Sequence, residues 1–287
     1  MKQTNETYLF TENIDLEATL FCGQTFLWRR SGQGYLGCVA GRPAYVEKSG
    51  EGFILTTQAE DAAYWRSYFD LDCDYESIFQ AFGQDPFVRR AYLKYGGLRV
   101  LRQPIFETIC TFIISANNNE KRIRSIVERL SNTLGERKGL LDDEIFAFPA
   151  PEAIVAAGED FLRTLGLGYR APYLFAAAQA VMRGECAMSA LPEMGYESAM
   201  NELLKLKGIG EKVADCILLF SCGYQNAFPV DTWVKKVMKG LYQMEGSAAK
   251  IRRAGMLHFG GHAGIVQQVL FHGARNGLFP ELAAPAS

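Results

Sequence analysis

The feature that most constrains the fold is a change in sequence period near residue 59. Before this point, short segments rich in aromatic and β-branched residues alternate with turns that contain Gly, Pro and Ser, which is typical of antiparallel strands with short connections. The predicted strands are Phe26–Arg30, Tyr35–Ala40, Ala44–Lys48 and Phe53–Thr57. After this point, apolar residues recur at helical spacing. The sequence therefore predicts an α+β chain, with a small N-terminal antiparallel β domain that also contains helices (residues 1–98) and a larger all-α domain (residues 99–287).

The predicted helices have recognisable start and stop signals. Asp74 and Asp85 precede helices as N-caps, and Pro86 takes a first-turn position. Most of the later helices end near a Gly. They are predicted at about residues 103–116, 120–134, 151–165, 169–183, 196–206, 211–222, 231–242, 248–258 and 263–276.

Composition excludes several classes of protein. The seven cysteines are scattered without a Cys-x-x-Cys pair, so we expect reduced thiols and no zinc or iron–sulfur site. No apolar run approaches the roughly 18 residues of a spanning helix, and residues 1–10 lack the apolar stretch of a secretory signal. We therefore expect a cytoplasmic protein. Net charge is −2, and the 10 basic and 6 acidic side chains of residues 200–287 hardly favour nucleic-acid binding by themselves.

The most informative segment is Leu203–Phe220, LLKLKGIGEKVADCILLF. We expect one helix to end at Gly208 and a second to begin near Glu211, after Gly210. Two glycines on either side of one apolar residue leave backbone N–H groups uncovered at a helix N-terminus, where they can bind a phosphate. A tight connection between two helices has the same pattern, so both interpretations remain open at this point.

Two charged residues near this hairpin have both a structural and a catalytic interpretation. Lys212 lies in the first turn, where the helix dipole disfavours a cation. It is either an exposed lysine at small cost, or an amine whose pKa is lowered by dipole and burial until it can act as a nucleophile. Asp231, which follows Pro229-Val230, is a natural N-cap. A carboxylate there could also orient the amine and stabilise a developing sugar cation.

LKGIGEKVADCI followed by FPVDTWV resembles the helix–hairpin–helix, Gly/Pro-Asp superfamily of DNA glycosylases. Within that superfamily, four further segments resemble the 8-oxoguanine DNA glycosylase / AP lyase family and occur in family order. They are CGQTFLWR (22–29), SANNNEKR (115–122), GLGYRAPY (166–173) and VQQVLF (266–271). The resemblance implies a helix–hairpin–helix glycosylase domain with its hairpin at about 203–220. It also implies a DNA repair enzyme that excises 8-oxoguanine, preferentially opposite cytosine, and then cleaves the strand as an AP lyase.

The resemblance assigns the chemistry to Lys212 as the Schiff-base nucleophile and to Asp231 as its assisting carboxylate. It assigns lesion recognition to the backbone carbonyl of Gly23. Guanine N7 only accepts hydrogen bonds, whereas N7 of 8-oxoguanine carries a hydrogen, so a carbonyl oxygen beside N7 favours the lesion. Glycine suits this place because its backbone can approach a ligand closely.

The base pocket implied by the resemblance is completed by three side chains. Cys216 and Phe271 would sandwich the purine, and Gln267 would hydrogen-bond its Watson–Crick edge. Cys216 lies four residues after Lys212, and Phe271 four after Gln267, so each pair shares a helix face. Without the resemblance, Cys and Phe would be interpreted as core and Gln as surface.

The resemblance also implies a DNA-facing set. Asn117 would fill the hole left by the everted base, Tyr169 would wedge the duplex, and Arg122 and Arg170 would read the orphaned cytosine through its two acceptors. Gly208 and Gly210 would bind phosphate. An Asn run and two arginines would otherwise be interpreted as a helix cap and a solvated surface.

Two positions depart from many eukaryotic relatives. Trp233, another DNA-binding candidate, stands where they have a His that contacts a phosphate, and it offers an indole N–H but no charge. Ala274 replaces an acidic residue after the pocket Phe. The resemblance thus leaves the lesion-phosphate contact and the polarity of the pocket open.

The chemistry requires no metal or redox cofactor, although a structural cation held by hairpin carbonyls is compatible with it. We expect a monomer that binds double-stranded DNA containing 8-oxoguanine, associates with no membrane, and lies at the nucleoid if the source is prokaryotic. Two alternatives remain. A monofunctional glycosylase for another damaged base needs Asp231 but not Lys212, and a non-catalytic DNA-binding hairpin needs neither. Relatives that act on adenine or oxidised pyrimidines usually carry four C-terminal cysteines for an iron–sulfur cluster, and no cysteine follows Cys222 here.

Overall fold

The computed structural model describes residues 5–50, 52–58, 61–141 and 143–283. Its N-terminal part is built on one antiparallel five-stranded sheet with the strand order β1-β5-β4-β3-β2. The strands are β1 (Asn5–Phe10), β2 (Trp28–Ser31), β3 (Gly34–Val39), β4 (Arg42–Ser49) and β5 (Gly52–Gln58). The four predicted strands are confirmed as β2 to β5, and β1 is an addition that the sequence analysis did not predict.

Aromatic packing holds this sheet to two short helices, α1 (Leu16–Phe21) and α2 (Ala62–Tyr68). Trp65 and Tyr68 of α2 are fully buried against Trp28 of β2. Trp28 Nε1 also donates a hydrogen bond of 2.9 Å to the Tyr68 hydroxyl, so the buried indole N–H has a partner.

The two helix starts predicted at aspartates are confirmed. Asp74 caps α3 (Tyr75–Gln80) and Asp85 caps α4 (Pro86–Tyr95), and each carboxylate accepts backbone N–H groups of the first turn. The other α-helices are α5 (Ile105–Ser115), α6 (Glu120–Leu134), α7 (Pro151–Leu162), α8 (Ala171–Met182), α9 (Tyr196–Leu204), α10 (Glu211–Ser221), α11 (Thr232–Tyr242), α12 (Ala248–Phe259) and α13 (Ala263–Arg275).

Three details of the helical part differ from the predictions. The helix predicted over 151–165 is interrupted, because Gly158 has a φ of +78° inside α7. The helix before the hairpin ends at Leu204 rather than at Gly208, and turns cover the residues between. A two-stranded hairpin, β6 (Arg137–Leu140) with β7 (Asp143–Phe146), follows α6 and was not predicted.

The loop that carries Gly23 is inserted between the sheet and the helices and is held from several sides. Gln24 is fully buried. Its Nε2 donates to the carbonyl oxygens of Thr19 (2.8 Å) and Arg99 (2.7 Å), and its Oε1 accepts from the N–H of Leu101 (3.0 Å). Buried amides that are this fully bonded fix the backbone around them.

The hydrophobic core is continuous across the predicted boundary at residues 98 and 99. The largest buried cluster includes residues from both sides, and Phe26 meets Phe112 of α5 edge-on at a centroid distance of 5.9 Å. The boundary itself stays a prediction. Across the described ranges, every helix is too short or too polar to cross a bilayer.

Candidate active site and DNA-facing turn

Residues from widely separated segments meet around one small cavity of about 40 Å³, here called the lesion cavity. Its lining consists of Cys22, Gly23, Phe112, Lys212, Cys216, Phe220, Pro229, Asp231, Gln267, Gln268 and Phe271. All six residues predicted for catalysis and base binding are in this lining. Larger cavities, including ones of about 560 Å³ and about 1000 Å³, contain none of the predicted site residues, so chemistry rather than size identifies the site.

The predicted nucleophile stands at the start of α10. The Nζ of Lys212 lies 5.2 Å from the centroid of the Phe112 ring, within the range of a cation–π contact. Cys216 lies one turn further along the same helix and lines the cavity with Lys212. Burial raises the pKa of Cys216 to about 11, and the neighbouring Lys212 opposes that rise. The thiol is therefore neutral at physiological pH and presents an uncharged surface to the cavity.

Asp231 is predicted to cap a helix and to assist catalysis, and the structure shows the cap. Its Oδ1 accepts the N–H of Val234 at 2.8 Å, so it is the N-cap of α11, as predicted. The same residue lines the lesion cavity together with Lys212. A carboxylate fixed by a cap keeps its position without needing a further partner.

The hairpin between α9 and α10 requires glycine at position 208 and has a second glycine at position 210. Gly208 has a φ of +89°, and a Cβ there would lie 2.7 Å from the side chain of Tyr173. Gly210 is the N-cap of α10 and supplies no side chain to the first-turn N–H groups. These N–H groups can therefore donate hydrogen bonds to an anion, as the phosphate interpretation requires.

The predicted base-binding residues combine an unpaired polar atom with apolar surroundings. Gln267 is only 4% exposed, and among the described residues its Oε1 has no hydrogen-bond partner. A buried amide oxygen without a partner is costly, so it is a candidate to receive a ligand donor. Gly23 has a φ of +87°, and Phe271 is partly buried against the helical core.

The DNA-facing candidates gather at a second place, the turn from Ala116 to Asn119, here called the Asn117 turn. Asn117 is exposed and has a φ of +48°. Arg170 is 3% exposed; its Nε donates to the Ala116 carbonyl at 2.8 Å and its Nη2 to the Asn117 carbonyl at 2.9 Å. The Tyr169 hydroxyl also donates to the Ala116 carbonyl, at 3.1 Å, while half of the Tyr169 side chain remains exposed. The side chains of Tyr169 and Arg170 therefore hold the turn through its backbone carbonyls.

Arg122 and Trp233 lie at the surface around these two places. Arg122 is exposed on the first turn of α6, and its backbone N–H is capped by Asn119. Trp233 is partly buried at the start of α11, and the Nζ of Lys236 lies 5.4 Å from its ring centroid. Tyr169 and Arg170 thus both bond carbonyls of the Asn117 turn, and Arg122 is exposed one turn of helix beyond it.

Sequence analysis missed several members of the cavity wall. Gln268 donates to Cys22 Sγ at 3.1 Å, and Phe112 and Phe220 stack on each other at 5.6 Å. Gln268 lies inside the VQQVLF segment directly after Gln267, so the prediction for Gln267 could have pointed to Gln268 as well. Nothing in their own segments distinguishes the two phenylalanines from ordinary core residues.

Comparison with known proteins shows the family to which the chain is similar. A family model described as "8-oxoguanine DNA glycosylase, N-terminal domain" matches residues 8–109, and one described as "HhH-GPD superfamily base excision DNA repair protein" matches residues 110–257. A "Probable N-glycosylase/DNA lyase" of Methanothermobacter thermautotrophicus is 30% identical over 94% of this chain and 96% of its own length. The "N-glycosylase/DNA lyase OGG1" of Arabidopsis thaliana is 28% identical over 90% of this chain and 76% of its own.

The solved structures extend this likeness to the whole fold. The 8-oxoguanine glycosylase/lyase of Clostridium acetobutylicum, in complex with dsDNA containing cytosine opposite 8-oxoG, is 33% identical to this chain. It superposes with a TM-score of 0.89 over 97% of this chain and 100% of that one. The sheet, the hairpin and the helices around the lesion cavity therefore share one architecture with that enzyme.

Proposed function

The chain belongs to the 8-oxoguanine DNA glycosylase family of the HhH-GPD base excision repair superfamily, and we propose from this that Lys212 and Asp231 are its catalytic residues. The enzyme is a bifunctional N-glycosylase and AP lyase that excises 8-oxoguanine from duplex DNA. The observation that carries the proposal is the lesion cavity itself, since it joins Lys212 and Asp231 to all four predicted base-binding residues.

In the first step, the lone pair of Lys212 Nζ forms a bond to C1′ of the lesion nucleotide. The N-glycosidic bond breaks, its electron pair leaves with the base, and the base takes up a proton. Asp231 stabilises the positive charge that develops on the sugar and orients the amine. The attached nitrogen of Lys212 loses a proton, which balances the one taken up by the base. Its lone pair then forms the C=N bond while the C1′–O4′ bond breaks and O4′ takes up a proton from water, so the product is a protonated Schiff base between Lys212 and the opened sugar.

The second step is the lyase reaction. The iminium withdraws electrons from C2′, so that carbon loses a proton. The electron pair left behind forms a double bond and expels the 3′ phosphate, which breaks the strand. Water later hydrolyses the imine and releases Lys212. No step requires a metal or a redox cofactor, and a structural cation at the hairpin carbonyls would act only on DNA binding.

The base must enter a cavity that is now far smaller than a ligand pocket of about 300 Å³. We infer that Phe271 and Gln267 move apart from Cys216 when the everted purine enters. The purine then stacks between Cys216 and Phe271, and Gln267 Oε1 gains the donor that it lacks. The Gly23 carbonyl accepts the N7 hydrogen of the lesion and repels N7 of ordinary guanine.

The Asn117 turn would contact the DNA strand opposite the lesion. We propose that Asn117 fills the space of the everted base, Tyr169 wedges the stack, and Arg122 and Arg170 donate to cytosine. The hairpin amides at Gly208 and Gly210, together with Trp233, bind the phosphates next to the lesion. The protein acts on its duplex as a monomer in the cytoplasm, and at the nucleoid if the source is prokaryotic.

The experiment is borohydride trapping on an 8-oxoguanine:cytosine duplex, with the matched guanine:cytosine duplex as control. A bifunctional enzyme gives a covalent protein–DNA complex with the lesion duplex only, because borohydride reduces the Schiff base. Excision of the base without any trapped complex would indicate a monofunctional glycosylase. Binding without excision would indicate a non-catalytic hairpin protein.

A further inference from the structure

Arg275, the last residue of α13, stands immediately behind the lesion cavity. It lies one helical turn beyond Phe271, and its guanidinium carbon is 5.4 Å from the centroid of that ring. This is a cation–π distance, and residues four apart on a helix share a face. Arg275 is not part of the cavity lining. It therefore braces Phe271 from outside the cavity.

The same guanidinium covers Gly23. A Cβ built on Gly23 would lie 3.4 Å from Arg275 Nη1, which is the nearest atom to that position. The two groups proposed to recognise the lesion, the Gly23 carbonyl and the Phe271 ring, are therefore adjacent to one side chain. A planar guanidinium can stack on a ring while its edge donates to other groups, whereas an ammonium is a compact point charge.

The other end of the guanidinium reaches the opposite-strand side of the site. Arg275 Nη2 donates to Glu120 Oε2 at 3.0 Å, with the two side chains 32% and 25% exposed. Glu120 is the first residue of α6 and follows directly on the Asn117 turn. The ion pair thus connects the end of α13 with the segment that carries Asn117, across 155 residues of sequence.

Glu120 is itself fixed on its second oxygen. Its Oε1 accepts two hydrogen bonds from Arg124, of 3.2 Å and 3.0 Å. Arg124 also donates to the carbonyl oxygens of Leu20 and Trp28, on either side of the loop that carries Gly23. A carboxylate shared by two arginines forms a network, and such a network holds position better than an isolated surface pair.

We propose that Arg275 is a positioning residue for lesion recognition, which holds Phe271 against Gly23 and, through Glu120, ties the lesion cavity to the Asn117 turn. This role rests on the proposed function of both places. Phe271 must move for the purine to enter, and Arg275 stacks on that ring. Entry of the base therefore displaces Arg275, and the ion pair with Glu120 transmits this displacement to the Asn117 turn.

The test separates recognition of the base from chemistry at the sugar. The variant is Arg275→Ala, and single-turnover rates are measured on an 8-oxoguanine:cytosine duplex and on the same duplex with a preformed abasic site. Strand cleavage at an abasic site needs Lys212 but has no base to hold. Arg183→Ala, which removes an exposed arginine paired with Glu185, is the matched control.

We expect Arg275→Ala to lower 8-oxoguanine excision by about ten- to a hundredfold, since small misplacements of a recognition group are costly. Abasic-site cleavage should stay within about twofold of wild type, because Lys212 is untouched. Arg275→Lys keeps the charge that faces Glu120 but loses the planar stack, so its excision rate should fall between those of wild type and Arg275→Ala. Glu120→Gln, which removes the charge, should lower excision in the same selective way. Arg183→Ala should match wild type on both duplexes.

Equal loss of both activities in Arg275→Ala would mean a general structural role and would overturn the inference. Wild-type rates of Arg275→Ala on both duplexes would overturn it as well, while leaving the proposed function intact. Failure of the wild-type protein to excise 8-oxoguanine would contradict the proposed function, and this inference with it.

Discussion

The lesion cavity and the Asn117 turn are built in different ways, although both face the same DNA. In the cavity, polar side chains keep unused capacity. Within the described residues, Gln267 Oε1 has no partner and Lys212 forms no ion pair. At the turn, Arg170 and Tyr169 are already bonded to backbone carbonyls. We infer that the side chains of the cavity are available to bind atoms of the substrate. The side chains of the turn instead hold its backbone in one conformation.

The largest effect is expected from Lys212→Gln, which removes the nucleophile from the cavity and leaves the turn intact. Borohydride trapping should disappear and excision should fall by at least about 10³-fold, as for the loss of other catalytic nucleophiles. Binding of the lesion duplex should change little, because the hairpin contacts are backbone amides. Lys205→Gln, on the same hairpin but paired with Glu202, is the control and should trap normally. Full trapping by Lys212→Gln would place the nucleophile elsewhere.

The next largest effect is expected from Asp231→Asn. Asparagine is as good an N-cap as aspartate, so the fold and its melting temperature should be nearly unchanged. The negative charge is lost, and removing one electrostatic group from a catalytic site typically lowers the rate by about 10²–10³-fold. Single-turnover excision and thermal melting of the same preparation measure both. Excision at the wild-type rate would leave Asp231 with only its capping role.

A prediction for the turn separates its two arginines. The wild-type enzyme should prefer cytosine over adenine opposite the lesion by about ten- to a hundredfold, because a good polar contact to a base is worth about 1–3 kcal/mol. Arg122 is exposed, so Arg122→Ala should reduce this preference without destabilising the protein. Single-turnover excision opposite each of the four bases is the measurement. Equal wild-type rates opposite cytosine and adenine would contradict the assignment of the turn.

Arg170→Ala should behave differently from Arg122→Ala, since Arg170 is buried and holds the turn. We expect excision to fall opposite every base, with a loss of about 1–3 kcal/mol in the free energy of unfolding as the two carbonyls lose their donor. Chemical denaturation alongside the four-base assay distinguishes the cases. A loss of cytosine preference alone, at unchanged stability and with unchanged excision opposite the other bases, would mean that Arg170 reads cytosine without holding the turn.

The smallest effect on activity is expected from a charge outside both places. Glu107 of α5 is buried; its Oε1 accepts the N–H of Ala40 at 2.9 Å, and among the described residues its Oε2 has no partner. Burial raises its pKa from 4.5 to about 8. Its contribution to stability is therefore complete below about pH 4.5 and is lost as pH rises through about 8, with a slope near 1.4 kcal/mol per pH unit between them.

Glu107→Gln keeps an oxygen for Ala40 and cannot ionise. The difference in unfolding free energy between variant and wild type should therefore shift in favour of the variant as pH rises from about 5 to about 8. Excision at one pH should be the same for both proteins. A pH-independent difference would mean that Glu107 is already ionised in the folded protein.

Local signals in the sequence predicted much of both places, and contacts between distant segments account for the rest. The N-cap at Asp231 and the glycines of the hairpin follow from turn and cap chemistry within a few residues. The bond from Arg170 to Ala116 spans 54 residues and that from Arg275 to Glu120 spans 155, so no periodicity indicates them. β1 was missed because NETYLF is mostly exposed, and its pairing with β5 becomes evident only in the sheet.

The most direct measurement is to identify the residue that carries the DNA after borohydride trapping. Trypsin does not cleave after a modified lysine, so an adduct on Lys212 should appear on a single peptide covering residues 208–235, still joined to the reduced sugar. The same digest of untrapped protein should give that segment as two peptides, cut after Lys212. An adduct on any other lysine or on the N-terminal amine would contradict the assignment of the lesion cavity as the catalytic site.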